Sequence, residues 1–339
     1  RRLGLAGLWV KGEGRTLAAE GLASFKAAGV MAALDDDAAL DGAHTVVCAS
    51  DGNYGRALAW AARRRGLACR IFLPACVSAA RREAIRAQDA EVVIVEGGYD
   101  DAMAAARAGC GDGVVEVSDT GYPGNERFPQ AVSEGYSAIA AECVAAWPRG
   151  VAPPTHLFLP VGVGGRAGAM VATLGALWPG RMPRVLTVEP RSAAGLAASL
   201  RAGRVVSAAP GGETAMIGLA CETPCTVGWR ALADGVDWAL AISDALIAEA
   251  MRDLAFPAEG ETAIVAGETG AACHAALLSA MAEPVIARRL GLGAGARVLL
   301  PVTEGATDAG LYRRMVGTDP AAVTARAGGA PAATLIAGA

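Results

Sequence analysis

Thr45-Val46-Val47-Cys48-Ala49-Ser50-Asp51-Gly52-Asn53-Tyr54-Gly55 is the stretch from which the fold can be read. A continuous apolar run predicts a strand covered on both faces. Small and polar residues then turn the chain. A helix is expected from about Tyr54 to Arg65, ending in Arg63-Arg64-Arg65, where cations suit the negative end of the helix dipole. The same unit recurs downstream. Arg70-Ile71-Phe72-Leu73 reads as a strand stopped by Pro74, with a helix near 79–87. Val92-Val93-Ile94-Val95 leads into a helix from Tyr99 to Ala108. Val114-Val115-Glu116-Val117 leads into one near 129–146. Repeated strand–helix order with buried strands specifies an α/β fold on a parallel sheet.

Working outward, Leu8-Trp9-Val10-Lys11 predicts an earlier strand. Ala146-Trp147-Pro148-Arg149-Gly150-Val151-Ala152-Pro153-Pro154 has the composition of a linker, and the pattern then restarts. Strands are expected at 157–159, 185–188, 238–240 and 298–300, and helices at 167–177, 193–201, 244–254, 269–290 and 309–315. Two open parallel-sheet domains with a ligand cleft between them are the expectation: a smaller one over 38–148, and a larger one from 1–37 and 149–317. The Ala/Gly-rich segment 318–339 is expected to be a loose tail. In such sheets ligands sit beyond the carboxyl ends of the strands.

Composition narrows the function classes. The chain has 339 residues, 53% of them apolar, enough for one or two cores. No long uncharged apolar run predicts a membrane span. The net charge of −4 and the lack of a dense basic patch argue against a nucleic-acid partner. The first residues are too short for a signal peptide and no Met begins the chain, so a fragment lacking its true start is expected. Eight scattered cysteines read as reduced thiols of a cytoplasmic protein. Cys221 and Cys225 lie close, but no second pair or nearby His completes a zinc site, and no metal is expected.

Amine usage supplies the first chemical clue. Of the 30 Lys plus Arg, only Lys11 and Lys26 are lysine. A guanidinium stays charged and cannot attack a carbonyl, whereas an amine can. Lys26 lies in Gly21-Leu22-Ala23-Ser24-Phe25-Lys26-Ala27-Ala28-Gly29, at the start of a helix running to Leu34, among apolar neighbours that would favour the reactive neutral amine.

Four more stretches follow predicted strands. In Ala49 to Gly55, Asn53 offers an amide to a ring substituent and Asp51 a carboxylate; an ordinary turn with capping side chains reads equally well there. Gly162-Val163-Gly164-Gly165-Arg166-Ala167-Gly168 would leave free N–H groups at a helix N-terminus, a cradle for phosphate. It is not a P-loop, and its spacing is one residue too long for a dinucleotide fingerprint. Ser118-Asp119-Thr120-Gly121-Tyr122 supplies a second carboxylate. Thr303-Glu304-Gly305-Ala306-Thr307-Asp308 supplies the hydroxyl of Thr303 or a helix cap. A Schiff-base lysine, an amide for a ring oxygen, a phosphate cup and a hydroxyl for a ring nitrogen together describe a pyridoxal phosphate site.

With these residues in view, the chain resembles the tryptophan-synthase-β-like (fold type II) pyridoxal phosphate enzymes, and among them the diaminopropionate ammonia-lyases. Ser24-Phe25-Lys26 is similar to the lysine motif of threonine dehydratases. Asp51-Gly52-Asn53, where most members have Ser-Gly-Asn, looks like the ammonia-lyases. So do Tyr99-Asp100-Asp101, Asp119-Thr120, the run from Thr214 to Cys221 leading to Gly228-Trp229, Gly267-Glu268-Thr269-Gly270-Ala271, and Thr303-Glu304-Gly305. The resemblance covers about Leu8 to Val316. It implies that Lys26 carries the cofactor, Asn53 bonds its phenolic oxygen, Gly162, Val163, Gly164, Gly165 and Ala167 bind phosphate, and Thr303 faces the pyridine nitrogen. It implies Asp51 and Asp119 as bases on opposite faces of the α-carbon, β-elimination from both enantiomers of 2,3-diaminopropionate to pyruvate and ammonia, and a homodimer. A dehydratase or β-replacement enzyme on the same scaffold is the near alternative, and a non-catalytic nucleotide-binding protein the remote one. The chain departs from the family at Tyr54, where His is usual, at Arg166, where the family's cup is more apolar, and between Lys11 and Lys26, a segment that contains Gly12, Gly14 and an apparent insertion.

Overall fold

The computed structural model describes residues 3–209, 211–327 and 335–338. The stretch quoted first forms β2 (Thr45–Ala49) and α2 (Asn53–Arg64). β2 is central in a four-stranded parallel sheet with β3 (Ala68–Pro74), β4 (Glu91–Val95) and β5 (Val114–Glu116), in the order β4-β3-β2-β5. Val46, Val47 and Cys48 have no exposed surface, as a run without alternation requires. Between these strands run α2, α3 (Ala79–Arg86) and α4 (Tyr99–Ala108); α5 (Arg127–Ala145) follows β5.

A second sheet takes the rest of the chain. Its parallel strands are β1 (Gly7–Gly12), β6 (His156–Pro160), β7 (Arg184–Pro190), β8 (Trp238–Ile242) and β9 (Arg297–Val302), ordered β1-β9-β6-β7-β8. β10 (Leu335–Gly338) pairs antiparallel with β1 at the edge. The chain is thus α/β with two parallel sheets, as its patterning predicts. α1 (Lys26–Leu34) and α6 (Gly165–Leu177) both pack on α5. Small residues permit this: a Cβ on Gly29 would lie 2.5 Å from the Tyr136 ring, and one on Gly135 2.5 Å from the Ala28 carbonyl oxygen.

Two expectations change. The predicted helix over 269–290 is divided into α10 (Ala272–Ala282) and α11 (Pro284–Leu290). Pro284 has no N–H to continue the first helix and opens the second, where an N–H would go unused anyway. A helix the patterning missed, α8 (Thr226–Gly235), packs on α6. The expected loose tail is also partly ordered. α13 (Pro320–Arg326) is capped by Asp319, which accepts from the Ala321 N–H at 2.9 Å, and it buries Val323. Residues 328–334 and 339 of that expectation lie outside the described residues.

The contact between α6 and α8 is backbone against backbone. A Cβ on Gly168 would lie 2.7 Å from the Gly228 Cα, and one on Gly228 2.5 Å from the Gly164 oxygen. Gly168 is therefore a packing glycine. Overfilled contacts of this kind cost about 1–3 kcal/mol, so Gly168→Ala should lower the free energy of unfolding in urea by that amount. Gly175→Ala, with nothing near its Cβ position, should not.

Candidate active site

The carboxyl ends of both sheets face one cleft of about 890 Å³, mouth included. Lys26, Asp51, Asn53, Asp119, Gly162, Val163, Gly164, Gly165, Ala167 and Thr303 all line it. Lys11, the other lysine, lies on β1, buried and paired with Glu13 and, at 2.8 Å, with Glu142.

Lys26 is the first residue of α1. The segment before it is stitched to the end of β9: Phe25 N–H donates to the Thr303 oxygen (3.2 Å), and Gly305 N–H to the Ala23 oxygen (3.0 Å). Gly14 belongs to the same seam, because a Cβ on it would lie 2.8 Å from the Gly305 nitrogen. The Lys26 ammonium pairs with Asp119 and sits 5.1 Å from the centroid of the Phe25 ring and 5.5 Å from that of Tyr54. Burial works to lower the amine's pKa, but the Asp119 carboxylate outweighs it, and the pKa stands above its ordinary value.

Asp51 lies in the turn between β2 and α2. Ser50 Oγ shapes that turn by accepting from the Gly52 and Gly55 N–H groups at 2.9 and 2.8 Å. Burial, and then the like charge of Asp119, push the Asp51 carboxyl up to about 7, against the pull of Lys26 and Arg81. The cleft thus holds a carboxylate tied to the amine and a second carboxyl that titrates near neutrality.

Opposite them, Gly162 to Gly164 turn from β6 into α6. Gly164, the N-cap, has φ +97°, a conformation only glycine adopts freely. A Cβ on Gly162 would meet the Gly218 oxygen at 2.9 Å. The first-turn amides of a helix have no intrahelical acceptor, so this end offers N–H groups and a positive dipole to an anion. Arg166 is buried here. It donates to the Pro160 oxygen (3.1 Å) and the Met170 thioether Sδ (3.3 Å), and its guanidinium lies 5.0 Å from the Phe25 ring centroid.

Thr303 Oγ1 is buried without a hydrogen-bond partner. An orphaned hydroxyl on a cleft wall is costly unless a ligand completes it. Together with the glycine turn and the amine, it fits a phosphorylated pyridine aldehyde: an anion at the turn, a ring nitrogen at Thr303, a carbonyl at Lys26. Asn53 opens α2, donating through Nδ2 to Glu304 and accepting at Oδ1 from Arg56 at 3.2 Å. Tyr54, at the departure from His, donates its hydroxyl to the Val117 oxygen at 3.1 Å. His44, His156 and His274 do not line the cleft.

Several groups that line or brace this cleft have no cleft role in the sequence reading. Tyr136 reaches it from α5 and Cys221 from the segment before α8. Burial keeps the Cys221 thiol well above its ordinary pKa. Arg81 of α3 pairs with Glu268, both buried, and bridges the two sheets. These partners are 187 residues apart, and no local pattern could signal the pairing. Glu304 follows Thr303, and nothing local distinguishes it from a helix-cap residue; its partner Asn53 is distant in sequence.

The family model for "Pyridoxal-phosphate dependent enzyme" matches residues 1–304. A diaminopropionate ammonia-lyase of Salmonella typhimurium is 35% identical over 278 residues, covering 80% of this chain and 69% of the relative. The crystal structure of diaminopropionate ammonia lyase from Escherichia coli, in complex with an aminoacrylate-PLP azomethine reaction intermediate, superposes with a TM-score of 0.86 at 29% identity, covering 93% of this chain and 84% of that one. A processed threonine deaminase from Solanum lycopersicum shares the fold, with a TM-score of 0.74 at 21% identity and coverage of 93% and 84%.

Proposed function

The chain belongs to the pyridoxal-phosphate dependent enzyme family, and from that premise we propose that it is an ammonia-lyase acting on D- and L-2,3-diaminopropionate. The net reaction takes up one water and yields pyruvate and two ammonia. The relatives named above support this substrate. The observation that carries it is that Asp51 and Asp119 share one cleft with Lys26, with Asp119 on the amine itself. A dehydratase-like site would have a hydroxyl in place of Asp51.

Each residue then has a physical task. Lys26 would hold the cofactor covalently, and Asp119 beside it can take the proton that the amine must lose first. The Gly162–Gly165 turn and Ala167 would bind the phosphate through N–H groups, Thr303 would satisfy its hydroxyl on the pyridine nitrogen, and Asn53 would donate to the ring oxygen. When bound, pyridoxal phosphate supplies an electron sink that acidifies the substrate's α-carbon. Asp51 and Asp119 would accept the α-proton from opposite faces, one for each enantiomer. The β-amino group leaves as ammonia, and a buried carboxylic acid near neutral pKa is suited to return a proton to it.

Incubation with pyridoxal phosphate should give the absorption band of a Schiff base, and borohydride should fix the cofactor on Lys26. Recovery of the label elsewhere would overturn the assignment of that lysine. The Asp51 carboxyl sets a pH dependence as well. It must be ionised to accept a proton, so kcat/KM for the enantiomer it serves should rise with pH to a plateau above about 7. In Asp51→Asn that limb should vanish, as a pH–rate profile would record. We also propose a cytoplasmic homodimer. Eight free cysteines are in keeping with a reducing compartment, and light scattering on the purified chain measures the oligomeric state.

A further inference from the structure

Glu304 is a buried carboxylate on the cleft wall with no task in the reaction as described. It follows Thr303 at the end of β9, and its backbone is pinned on two sides, by a bridge to Ser24 and by the Gly267 N–H, which donates to its oxygen at 3.1 Å. Room for its side chain is made by glycine: a Cβ on Gly267 would lie 2.8 Å from Glu304 Oε1. Its Oε2 accepts from Asn53 Nδ2, while Oε1 is buried without a partner.

Burying a carboxyl with one oxygen unsatisfied is costly, and this one lies close enough to Glu268 to feel its charge. Burial and Glu268 both raise the Glu304 pKa. The gain on the other side is control of one amide. Asn53 presents an oxygen and an NH2 group that sterics alone distinguish poorly. Arg56 donates to the oxygen, and Glu304 takes one hydrogen of the nitrogen. The second hydrogen of Nδ2 is thereby committed as a donor.

We propose that Glu304 is a positioning residue that acts through Asn53, holding the amide with its N–H toward the ring oxygen of the cofactor. Asn53 belongs to the four-stranded sheet's side of the cleft and Glu304 to the other sheet. The ring-oxygen contact therefore forms only when the two sheets stand as they do here, a spacing that the buried Arg81–Glu268 pair also spans. The inference rests on the pyridoxal phosphate reading above.

The test is a double-mutant cycle on cofactor affinity and on the visible band, neither of which requires turnover. Glu304→Met keeps the volume and removes the acceptor; Glu304→Gln keeps an acceptor oxygen. Alone, Glu304→Met should weaken pyridoxal phosphate binding by about tenfold, the size of one hydrogen bond to a charged group, and Glu304→Gln by less than about threefold. In an Asn53→Ala background, Glu304→Met should add less than about twofold. Its band should match that of Asn53→Ala and differ from the native one. An equal loss in both backgrounds, or a native band in Glu304→Met, would overturn the proposal. If circular dichroism shows Glu304→Met to be unfolded, Glu304→Asn, which withdraws the acceptor by one methylene, goes through the same cycle under the same criteria. A native protein without any band would instead refute the cofactor reading, so the two failures are distinct.

Discussion

Lys26→Ala is expected to leave a folded chain that binds pyridoxal phosphate reversibly, with no borohydride-stable adduct and with turnover reduced at least about 10³-fold. Three observations converge on this. The side chain lies in the cleft at the start of α1, against the end of β9 that carries Thr303. The remaining lysine is buried in a charge cluster outside the cleft and cannot stand in for it. The many arginines cannot form the bond at all. Reversible binding should survive because the glycine turn, Asn53 and Thr303 are untouched. Mass spectrometry after reduction distinguishes the outcomes: an adduct of undiminished yield in Lys26→Ala would contradict the assignment.

The second large effect concerns the two aspartates. Asp51→Asn and Asp119→Asn should each lower kcat/KM by about 10²–10⁴-fold, the usual share of a positioned base, and each mainly for one enantiomer. Their secondary effects should differ, because their surroundings do. Asp119 holds the Lys26 ammonium, so Asp119→Asn also removes the charge that keeps the amine protonated. The same substitution removes the negative neighbour that helps lift Asp51 to about 7. In Asp119→Asn, the limb attributed to Asp51 should therefore move to lower pH. In Asp51→Asn, the Lys26–Asp119 pair stays and the amine should keep its high proton affinity. Stopped assays on the separate enantiomers across pH resolve these cases. Equal losses for both enantiomers in both variants would remove the two-base account.

The fold was legible because its strands are short, apolar and bounded by turn residues, so that 45–49, 91–95 and 114–116 declare themselves without tertiary help. Lys26, Asp51, Asn53, the glycine turn and Thr303 were legible for a related reason. Each sits just past a strand or at the first turn of a helix, where the chain can be parsed locally. What the sequence hid was set by contacts across long separations. α8 is amphipathic, but its contact with α6 is largely glycine backbone, which only the fold shows. The break at Pro284 was overlooked within a long apolar pattern, although proline at a first helical position is a readable sign. Arg166 beside the glycine turn is ambiguous in sequence, because only the fold shows Pro160, Met170 and Phe25 taking up its guanidinium. Glu304 reads as a cap box residue until Asn53, 251 positions away, is seen to donate to it.

Pyruvate release from D- and L-2,3-diaminopropionate by the cofactor-loaded chain decides the reaction. Both enantiomers should turn over, with two ammonia formed for each pyruvate. Turnover of threonine or serine with none of either diaminopropionate enantiomer would contradict it.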